Sequence, residues 1–405
     1  MRRWIIILGQ HPGLSVEELL TFFSGRGIPY KCLDGSRDFL LLACDQDLPA
    51  LMPVFGGVIK MAEWKVSVQR LEEIDDLFWT RELNFHQSIE GKFIFGFSQY
   101  GLHKQVQALH RQGLRLKKTF RDSGAGQFRL MANATGQLSS VAVAKNHMLN
   151  RELIFVRGSQ GIHVGVTRVV QDFLSYGHRD YGRPERDTDR GMLPPKVAQM
   201  MLHFARLQSG KSVLDPFCGL GTILQEASLV SGLQVSGSDI DQTAVQQAQH
   251  NATWLAEQRG APLPEIQTSS IDQLPIVWSG KKFDAIVTEP YMGSTAEVRS
   301  GLTLSQIKRW QTELSELYLQ AFKKFELLLK AKGYVVMIWP IFHLGHELYD
   351  FPLLYPLQKS GWTYVTPLIR SSQWAVELSA RGTLVYHRPG QIISREIVVW
   401  QKNIV

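Results

Sequence analysis

Cysteine is scarce in this 405-residue chain: Cys32, Cys44 and Cys218 are the only three. They form no CxxC pair and their number is odd, so neither a disulfide framework nor a zinc cluster is expected, and a reducing compartment fits. Long apolar runs are missing too, with no segment near the roughly 20 residues that would span a bilayer. The opening MRRWIIILGQHPG has an apolar run of about five residues before Gly9 and no small-residue cleavage site, so it reads as a first strand and the protein as cytoplasmic. There is no internal repeat and no low-complexity tract. An acidic excess is also absent: 44 Lys and Arg stand against 37 Asp and Glu, a formal +7 that favours an anionic partner, nucleic acid first. With 44% hydrophobic and 20% charged residues, the chain is globular and long enough for two or three domains.

Over the first 175 or so residues short strands (WIIILG, FLLLAC, EWKVSV) alternate with helical spacing (SVEELLTFF, LEEIDDLFW). A second small α+β unit begins near Phe93 with KFIFGFS, the helical LHKQVQALHRQG, the basic LRLKKTFRDSG, and strands QFRLMA and ELIFVRG. Residues 175–191, SYGHRDYGRPERDTDRG, are polar and nearly devoid of apolar side chains. Their arginines (Arg179, Arg183, Arg186, Arg190) are matched locally by Asp180, Glu185, Asp187 and Asp189, so a solvated linker is expected. From Leu193 onward strands and helices alternate strictly, which predicts a parallel, doubly wound sheet whose ligands sit at the carboxyl ends of its strands.

The first strand of that region ends in DPFCGLGT, residues 215–222. Gly219 and Gly221 permit a tight turn close to a ligand, directly before a helix. A dinucleotide fingerprint needs a third glycine at 224, where Leu224 stands, so nicotinamide binding is disfavoured. The second strand ends in GSDID, placing Asp239 where a carboxylate can accept both ribose hydroxyls. The third ends in TSSIDQL, where Asp272 is placed to accept an exocyclic adenine amine. Single aspartates at strand ends commonly cap helices; the series points to a nucleoside cofactor.

DPFCGLGTILQEA, followed in order by SGSDID and TEPY, resembles the class I S-adenosylmethionine-dependent methyltransferases. More narrowly, RGMLPPKVAQMMLHFA, DPFCGLGT and the closing LVYHRPGQIISREIVVW are similar to the THUMP-containing tRNA guanine-N2-methyltransferases of archaea and eukaryotes, which act near position ten. The resemblance implies an α/β architecture: a C-terminal Rossmann-like methyltransferase sheet over 192–405, preceded by a ferredoxin-like domain over 1–80, a THUMP-like RNA-binding domain over 81–174 and the 175–191 linker. The N-terminal part rests on FGFSQYG and GLRLKKTFRDSG. Carried over position by position, it implies S-adenosylmethionine as cofactor, with Asp215, Gly219 and Gly221 at the methionine moiety, Asp239 at the ribose and Asp272 at the adenine. Phe217, Thr222 and Ile240 complete the set, and the turn Leu193-Pro194-Pro195 closes over it. Cys218 only packs beside it, since no activating neighbour is evident.

Methyl transfer to an exocyclic amine needs the nitrogen lone pair aimed at the methyl, which acceptors for the amine protons and a stacked ring achieve. The family's pattern is (D/N)-P-P-(Y/F) after the fourth strand. Here Thr288 stands in place of the acid and Glu289 in place of the first proline, while Pro290 and Tyr291 remain and a glycine follows at 293. Either Glu289 serves as the acceptor with Thr288 assisting, the Pro290 carbonyl region aligning and Tyr291 stacking, or the site binds without catalysing. The first reading is favoured, because a carboxylate at the end of a buried strand is costly unless it is solvated or paired. A plain turn-capping role for Glu289 is the third possibility.

An adenine-N6 DNA methyltransferase shares these motifs but usually carries a recognition region that the stretch after Tyr291 leaves no room for, so recognition falls to the first 175 residues. There Lys104, Arg111, Arg115, Lys117, Lys118, Arg121 and Arg129 face a single acid, Asp122, and are the candidates for RNA phosphates. The expected partner is tRNA, recognised by shape, with no DNA, no membrane and no metal. A small activating subunit, used by eukaryotic relatives, is left open. The reading is a tRNA guanine-N2-methyltransferase; the alternatives are the DNA adenine enzyme and a non-catalytic RNA-binding protein.

Overall fold

A computed structural model describes residues 1–83, 92–122, 127–187, 191–294, 297–298, 301–369, 374, 376 and 378–403. The chain divides into two compact units. One comprises Met1–Val16, Arg26–Leu174 and Ser371–Glu377, and the other Glu17–Gly25, Ser175–Arg370 and Leu378–Val405.

The first unit is built on one eight-stranded sheet. Its strands are β1 (Arg2–Leu8), β2 (Tyr30–Gly35), β3 (Phe39–Cys44), β4 (Val58–Val68), β5 (Lys92–Tyr100), β6 (Gln127–Met131), β7 (Glu152–Gly158) and β8 (Gly161–Val170). They lie in the order β2-β3-β1-β4-β8-β7-β5-β6. The stretches read as two separate domains, 1–80 and 81–174, thus share a sheet, joined where β4 pairs antiparallel with β8. That pairing brings Ser67 opposite His163, a separation at which local spacing carries no information.

Helices α1 (Pro12–Gly25) and α2 (Asp76–Glu82) precede α3 (Val106–Asp122), and α4 (Ser140–Lys145) follows it. The predicted helix LEEIDDLFW starts later than its spacing suggests, because Asp75 caps α2 by accepting from the Phe78 amide at 2.6 Å. Alternate residues of β5, Phe93, Phe95 and Phe97, join Phe120 and Phe128 in an aromatic core. Helix α3 buries Leu109, Gly113, Leu116 and Phe120, one stripe of its surface. A side chain at Gly113 would come within 2.8 Å of Leu130, so glycine lets the helix approach the sheet. In the same unit the fully buried Lys60 and Glu152 form an ion pair, completed by the Ser98 and Thr167 hydroxyls on Glu152 and the Leu138 carbonyl on Lys60.

The second unit contains α5 (Phe173–Tyr181) from Ser175 on, α6 (Pro195–Phe204), α7 (Thr222–Ser228), α8 (Gln242–Arg259) and the long helix Leu304–Leu328. Its sheet consists of β9 (Ser212–Asp215), β10 (Gln234–Asp239), β11 (Glu265–Thr268), β12 (Phe283–Thr288), β13 (Leu329–Leu344), β14 (Glu347–Tyr349), β15 (Trp362–Tyr364), β16 (Leu384–Tyr386) and β17 (Ile393–Lys402). The main path runs β11-β10-β9-β12-β13-β17-β15. The first five strands of that path are parallel, as the alternation predicts, but β17 runs antiparallel to β13 and β15, making the sheet mixed. Strand direction is not encoded in an apolar run such as EIVVW, so the sequence offers no sign of the reversal.

The 175–191 segment departs from the solvated linker expected of it. Tyr176, Arg179 and Arg183 are buried. Arg179 is held by Glu226 of α7 through Nε to Oε1 (2.6 Å) and Nη2 to Oε2 (3.2 Å). Asn251 of α8 accepts from the Glu185 amide (2.9 Å) and donates to the carbonyls of Glu185 (3.1 Å) and Leu220 (3.0 Å). The charge that balances Arg179 comes from Glu226 on a distant helix, which local composition cannot reveal. Asp189 and Arg190 lie outside the described residues.

Candidate cofactor and substrate site

Three neighbouring strands, β10, β9 and β12, end in Asp239, Asp215 and Thr288, which places the three side chains side by side at one carboxyl edge. Asp215, in the middle, is buried and accepts from the Thr288 hydroxyl at 2.6 Å and the Phe217 amide at 3.3 Å. Burial pushes its carboxyl up to about 7; the Thr288 hydroxyl and Phe217 amide pull it down, while Asp239 and Glu289 push it further up.

The loop between β9 and α7 turns through two left-handed glycines, Gly219 at φ +49° and Gly221 at φ +81°. Asp239 draws the loop in by accepting from the Gly219 amide at 2.9 Å, and its second oxygen takes the Asp241 amide at 3.0 Å. A side chain at Gly221 would meet Ala248 of α8 at 3.2 Å, whereas one at Gly219 would project into open space. Gly221 therefore serves packing, and Gly219 borders a cradle. Leu193 and Pro194 are buried at the start of α6, while Ile240, just beyond Asp239, is 74% exposed.

Other predicted residues have partners of their own. Thr222 accepts from Arg183 Nη1 at 2.7 Å. Asp272 is tied to the long helix, accepting from Gln320 Nε2 at 2.8 and 2.9 Å and pairing with Lys324 at 3.2 Å. Cys218 is buried, and burial raises its thiol well above the ordinary range, as befits a packing role.

Beyond β12 the chain passes through Glu289 and the buried Pro290 to Tyr291, which is 57% exposed. The Tyr318 hydroxyl of the long helix donates to the Tyr291 carbonyl at 2.7 Å, fixing the backbone under an outward ring. Gly293 follows at φ +115°, and a side chain there would collide with Trp310 at 2.9 Å. The geometry separates the two residues expected to share one task. Thr288 is fully buried with its hydroxyl donated to Asp215, so it supports that carboxylate and does not face a substrate. Glu289 turns elsewhere: its Oε1 accepts from Arg395 Nε at 2.6 Å, and Arg395 Nη2 donates to the Gly191 carbonyl at 2.6 Å.

Sequence reasoning assigned no role to Arg395 or Glu396, although an Arg-Glu pair inside the apolar run ISREIVVW was a visible signal. Glu396 is buried and takes Arg381 and the Thr383 hydroxyl. Arg183 and Asn251 left no comparable mark. In the first unit, Lys104, Arg111, Arg115, Lys117, Lys118 and Arg121 are all exposed. Arg115 pairs with Asp76 at 3.0 Å and Arg121 with Asp122 at 3.6 Å. Among the described residues no cluster of metal-holding side chains occurs, and no helix is long and apolar enough to cross a membrane.

Residues 183–339 match the family model described as UPF0020, RMKL-like, methyltransferase domain. Two curated relatives are both called tRNA (guanine(10)-N2)-dimethyltransferase. The protein from Methanothermobacter thermautotrophicus is 37% identical over 125 residues, 30% of this chain and 35% of that one. The protein from Methanocaldococcus jannaschii is 26% identical over 249 residues, 59% of this chain and 60% of that one. The chain thus spans from about a third to three-fifths of the length of these relatives. Among solved structures, TrmN from Thermus thermophilus is 17% identical with a TM-score of 0.54 and 99% coverage of both chains. A possible methylase from Clostridium difficile 630 is 12% identical with a TM-score of 0.50, covering 99% of this chain and 98% of that one. These structural likenesses establish a shared α/β fold with a Rossmann-like sheet, and over residues 183–339 the chain is similar to an RMKL-like methyltransferase domain.

Proposed function

We propose that the protein transfers a methyl group from S-adenosylmethionine to the exocyclic N2 of a guanosine in tRNA, at position ten. The observation that carries this reading is the meeting, at one sheet edge, of a glycine-bordered cradle and a carboxylate followed by a buried proline and an exposed ring. The names of the relatives point to the same substrate.

The residues present fit the cofactor. Gly219 leaves room where a side chain would intrude, Asp239 stands at the adjoining strand end for a ribose, and the exposed Ile240 offers an apolar face to a purine. Bound there, S-adenosylmethionine supplies an electrophilic methyl on a sulfonium. Asp272 retains the adenine-facing role only alongside its bonds to Gln320 and Lys324.

Glu289 is the acceptor for the target amine. Arg395 occupies Oε1 and thereby orients Oε2 as the oxygen that accepts a hydrogen bond from the amine, without deprotonating it. Pro290 limits the backbone and Tyr291 stacks on the base, while Thr288 keeps Asp215 in place. The exposed cations of α3, with Lys104, contact tRNA phosphates. We further propose the domain reading of a ferredoxin-like region over 1–80, a THUMP-like RNA-binding region over 81–174 and a methyltransferase region over 192–405, working in the cytoplasm on tRNA, with a small activating subunit as an optional partner.

The decisive experiment incubates the purified protein with methyl-labelled S-adenosylmethionine and either unmodified tRNA or DNA, followed by nucleoside analysis. Label in N2-methylguanosine or its dimethyl form supports the reading. Label in N6-methyladenosine of DNA overturns the substrate, and cofactor binding without transfer to any nucleic acid overturns the activity in favour of an RNA-binding protein.

A further inference from the structure

Arg183 bonds to Thr222, the residue that follows the glycine loop, yet has no role in the reading above. It is only 2% exposed. Its Nη1 donates to the Thr222 hydroxyl at 2.7 Å, its Nη2 to the Met192 sulfur at 2.9 Å, and its Nε has no partner among the described residues. No carboxylate among the described residues lies within ion-pair distance of it. Arg179, four residues earlier and also buried, differs in having a carboxylate, for its guanidinium is gripped twice by Glu226. Glu226 is therefore already engaged.

A buried guanidinium held by a hydroxyl and a thioether, with one N–H unused, is an expensive arrangement. Guanidinium presents a planar fork of donors suited to a carboxylate, and the missing partner of Arg183 is an anion. Its position says which anion. Thr222 follows Gly221 directly, and Met192 directly precedes the Leu193-Pro194 turn, so Arg183 bonds to the residue after the glycine loop and to the residue before the turn. The same loop is bounded at its start by Asp215, a buried carboxylate. A cation at one end of a glycine turn and a carboxylic group at the other complement a ligand that carries both a carboxylate and an ammonium.

We propose that Arg183 binds the α-carboxylate of the cofactor's amino-acid end, with Asp215 facing its ammonium. This rests on the glycine loop being the cofactor site. Arg183 is then the residue that distinguishes the complete cofactor from nucleoside thioethers lacking an amino-acid tail.

The test measures, by calorimetry, the affinities of S-adenosylhomocysteine, its decarboxylated analogue and 5'-methylthioadenosine for the full chain. The wild type is expected to prefer S-adenosylhomocysteine over the decarboxylated analogue by on the order of 10- to 100-fold, the range of a hydrogen-bonded charge. Arg183→Met removes that preference while leaving the affinity for the decarboxylated analogue within about twofold, and Arg183→Lys restores part of it. A preference that survives in Arg183→Met, or an equal loss for all three ligands in a folded variant, overturns the proposal. Should Arg183→Met fail to fold, the wild type decides through its own ratio, since no preference for the carboxylate means that no cation reads it. Failure of the wild type to bind any of the three removes the cofactor reading beneath the proposal, an outcome distinct from binding without preference.

Discussion

Glu289 and Arg395 are joined by a 2.6 Å hydrogen bond between neighbours that the sequence sets 106 positions apart. The pair lies where a family of amine methyltransferases has a rigid proline, and Arg395 also grips the Gly191 carbonyl. A carboxylate in this place is held by a long-range partner, whereas a proline would be held by its own ring.

Removing Arg395 alone leaves Glu289 as a half-buried, uncompensated charge. Arg395→Met is expected to cost about 3 kcal/mol in urea unfolding, and Glu289→Gln combined with Arg395→Met is expected to cost less than the sum of the two single changes. A strictly additive pair in that cycle would mean that the contact contributes nothing.

For Glu289→Ala the expected result is unchanged S-adenosylhomocysteine affinity with a kcat reduced on the order of 100-fold. Thr288→Val, which preserves shape but removes the donor to Asp215, behaves differently. It is expected to lose about 2 kcal/mol of stability and to push the Asp215 carboxyl higher, which a shifted pH profile of cofactor binding would register. Equal loss of kcat in both variants, with binding intact, would contradict the separate roles proposed for Thr288 and Glu289.

Asp215 makes a pH prediction with a definite sign. Its carboxyl sits at about 7 in the fold against an ordinary 3.8, so between those values the folded chain holds a proton that the unfolded chain has released. Its contribution to the stability of the ligand-free protein is therefore present below about pH 4 and is lost as pH rises to 7. Asp34 and Asp284 act oppositely. Although burial raises them, their hydrogen bonds to His163 and Lys330 among others bring each down to about 2, so their contribution is lost as pH falls toward 2. Thermal melts across pH 4–8 should show Asp215→Asn flattening the slope on the neutral side, and an unchanged slope would refute the assignment.

Tyr291 is 57% exposed, and its carbonyl is held by the Tyr318 hydroxyl, so the ring proposed to stack on the base is not part of the core. Tyr291→Ala is expected to leave the melting temperature unchanged and to raise KM for tRNA by roughly 5- to 100-fold, the range of one base stack, while Tyr291→Phe stays near wild type. A melting temperature lowered as far as KM is raised would make the ring structural.

On α3, Arg111, Lys117 and Lys118 are exposed, whereas Arg115 and Arg121 already have acidic neighbours. Changing the first three to Gln should reduce the slope of log affinity for tRNA against log salt by roughly 0.7 to 0.9 for every phosphate that is no longer neutralised. Changing Arg115 alone should matter less. A slope that ignores the first three would refute the proposed RNA contact at α3.

The legible and illegible features differ in how far they reach along the chain. Strand and helix alternation after Leu193, the glycine turn, and Asp215 and Asp239 at their strand ends are local patterns that placed the sheet and the loop, whereas Asp272 lies past the end of β11 at Thr268. The burial of Arg179 and Arg183 was hidden because Glu226 and Thr222 lie some forty residues away. Thr288 and Glu289 looked like partners because they are adjacent, yet consecutive residues leaving a strand point to opposite sides. Asp272, expected at its strand end, gave no hint that Gln320 and Lys324 would reach it.

The position of β17 has a bearing on biosynthesis. This strand is interior to the second sheet, between β13 and β15, yet it spans Ile393–Lys402. During translation β13 must wait for a neighbour synthesised about fifty residues later, with one edge unpaired, and Arg395 cannot meet Glu289 before then. The eight strands of the first sheet, by contrast, are all translated by Val170. Ribosome-stalled chains ending before residue 390 should therefore protect the first sheet from protease and leave the second susceptible, so that the nascent chain completes one sheet while the other still lacks an interior strand.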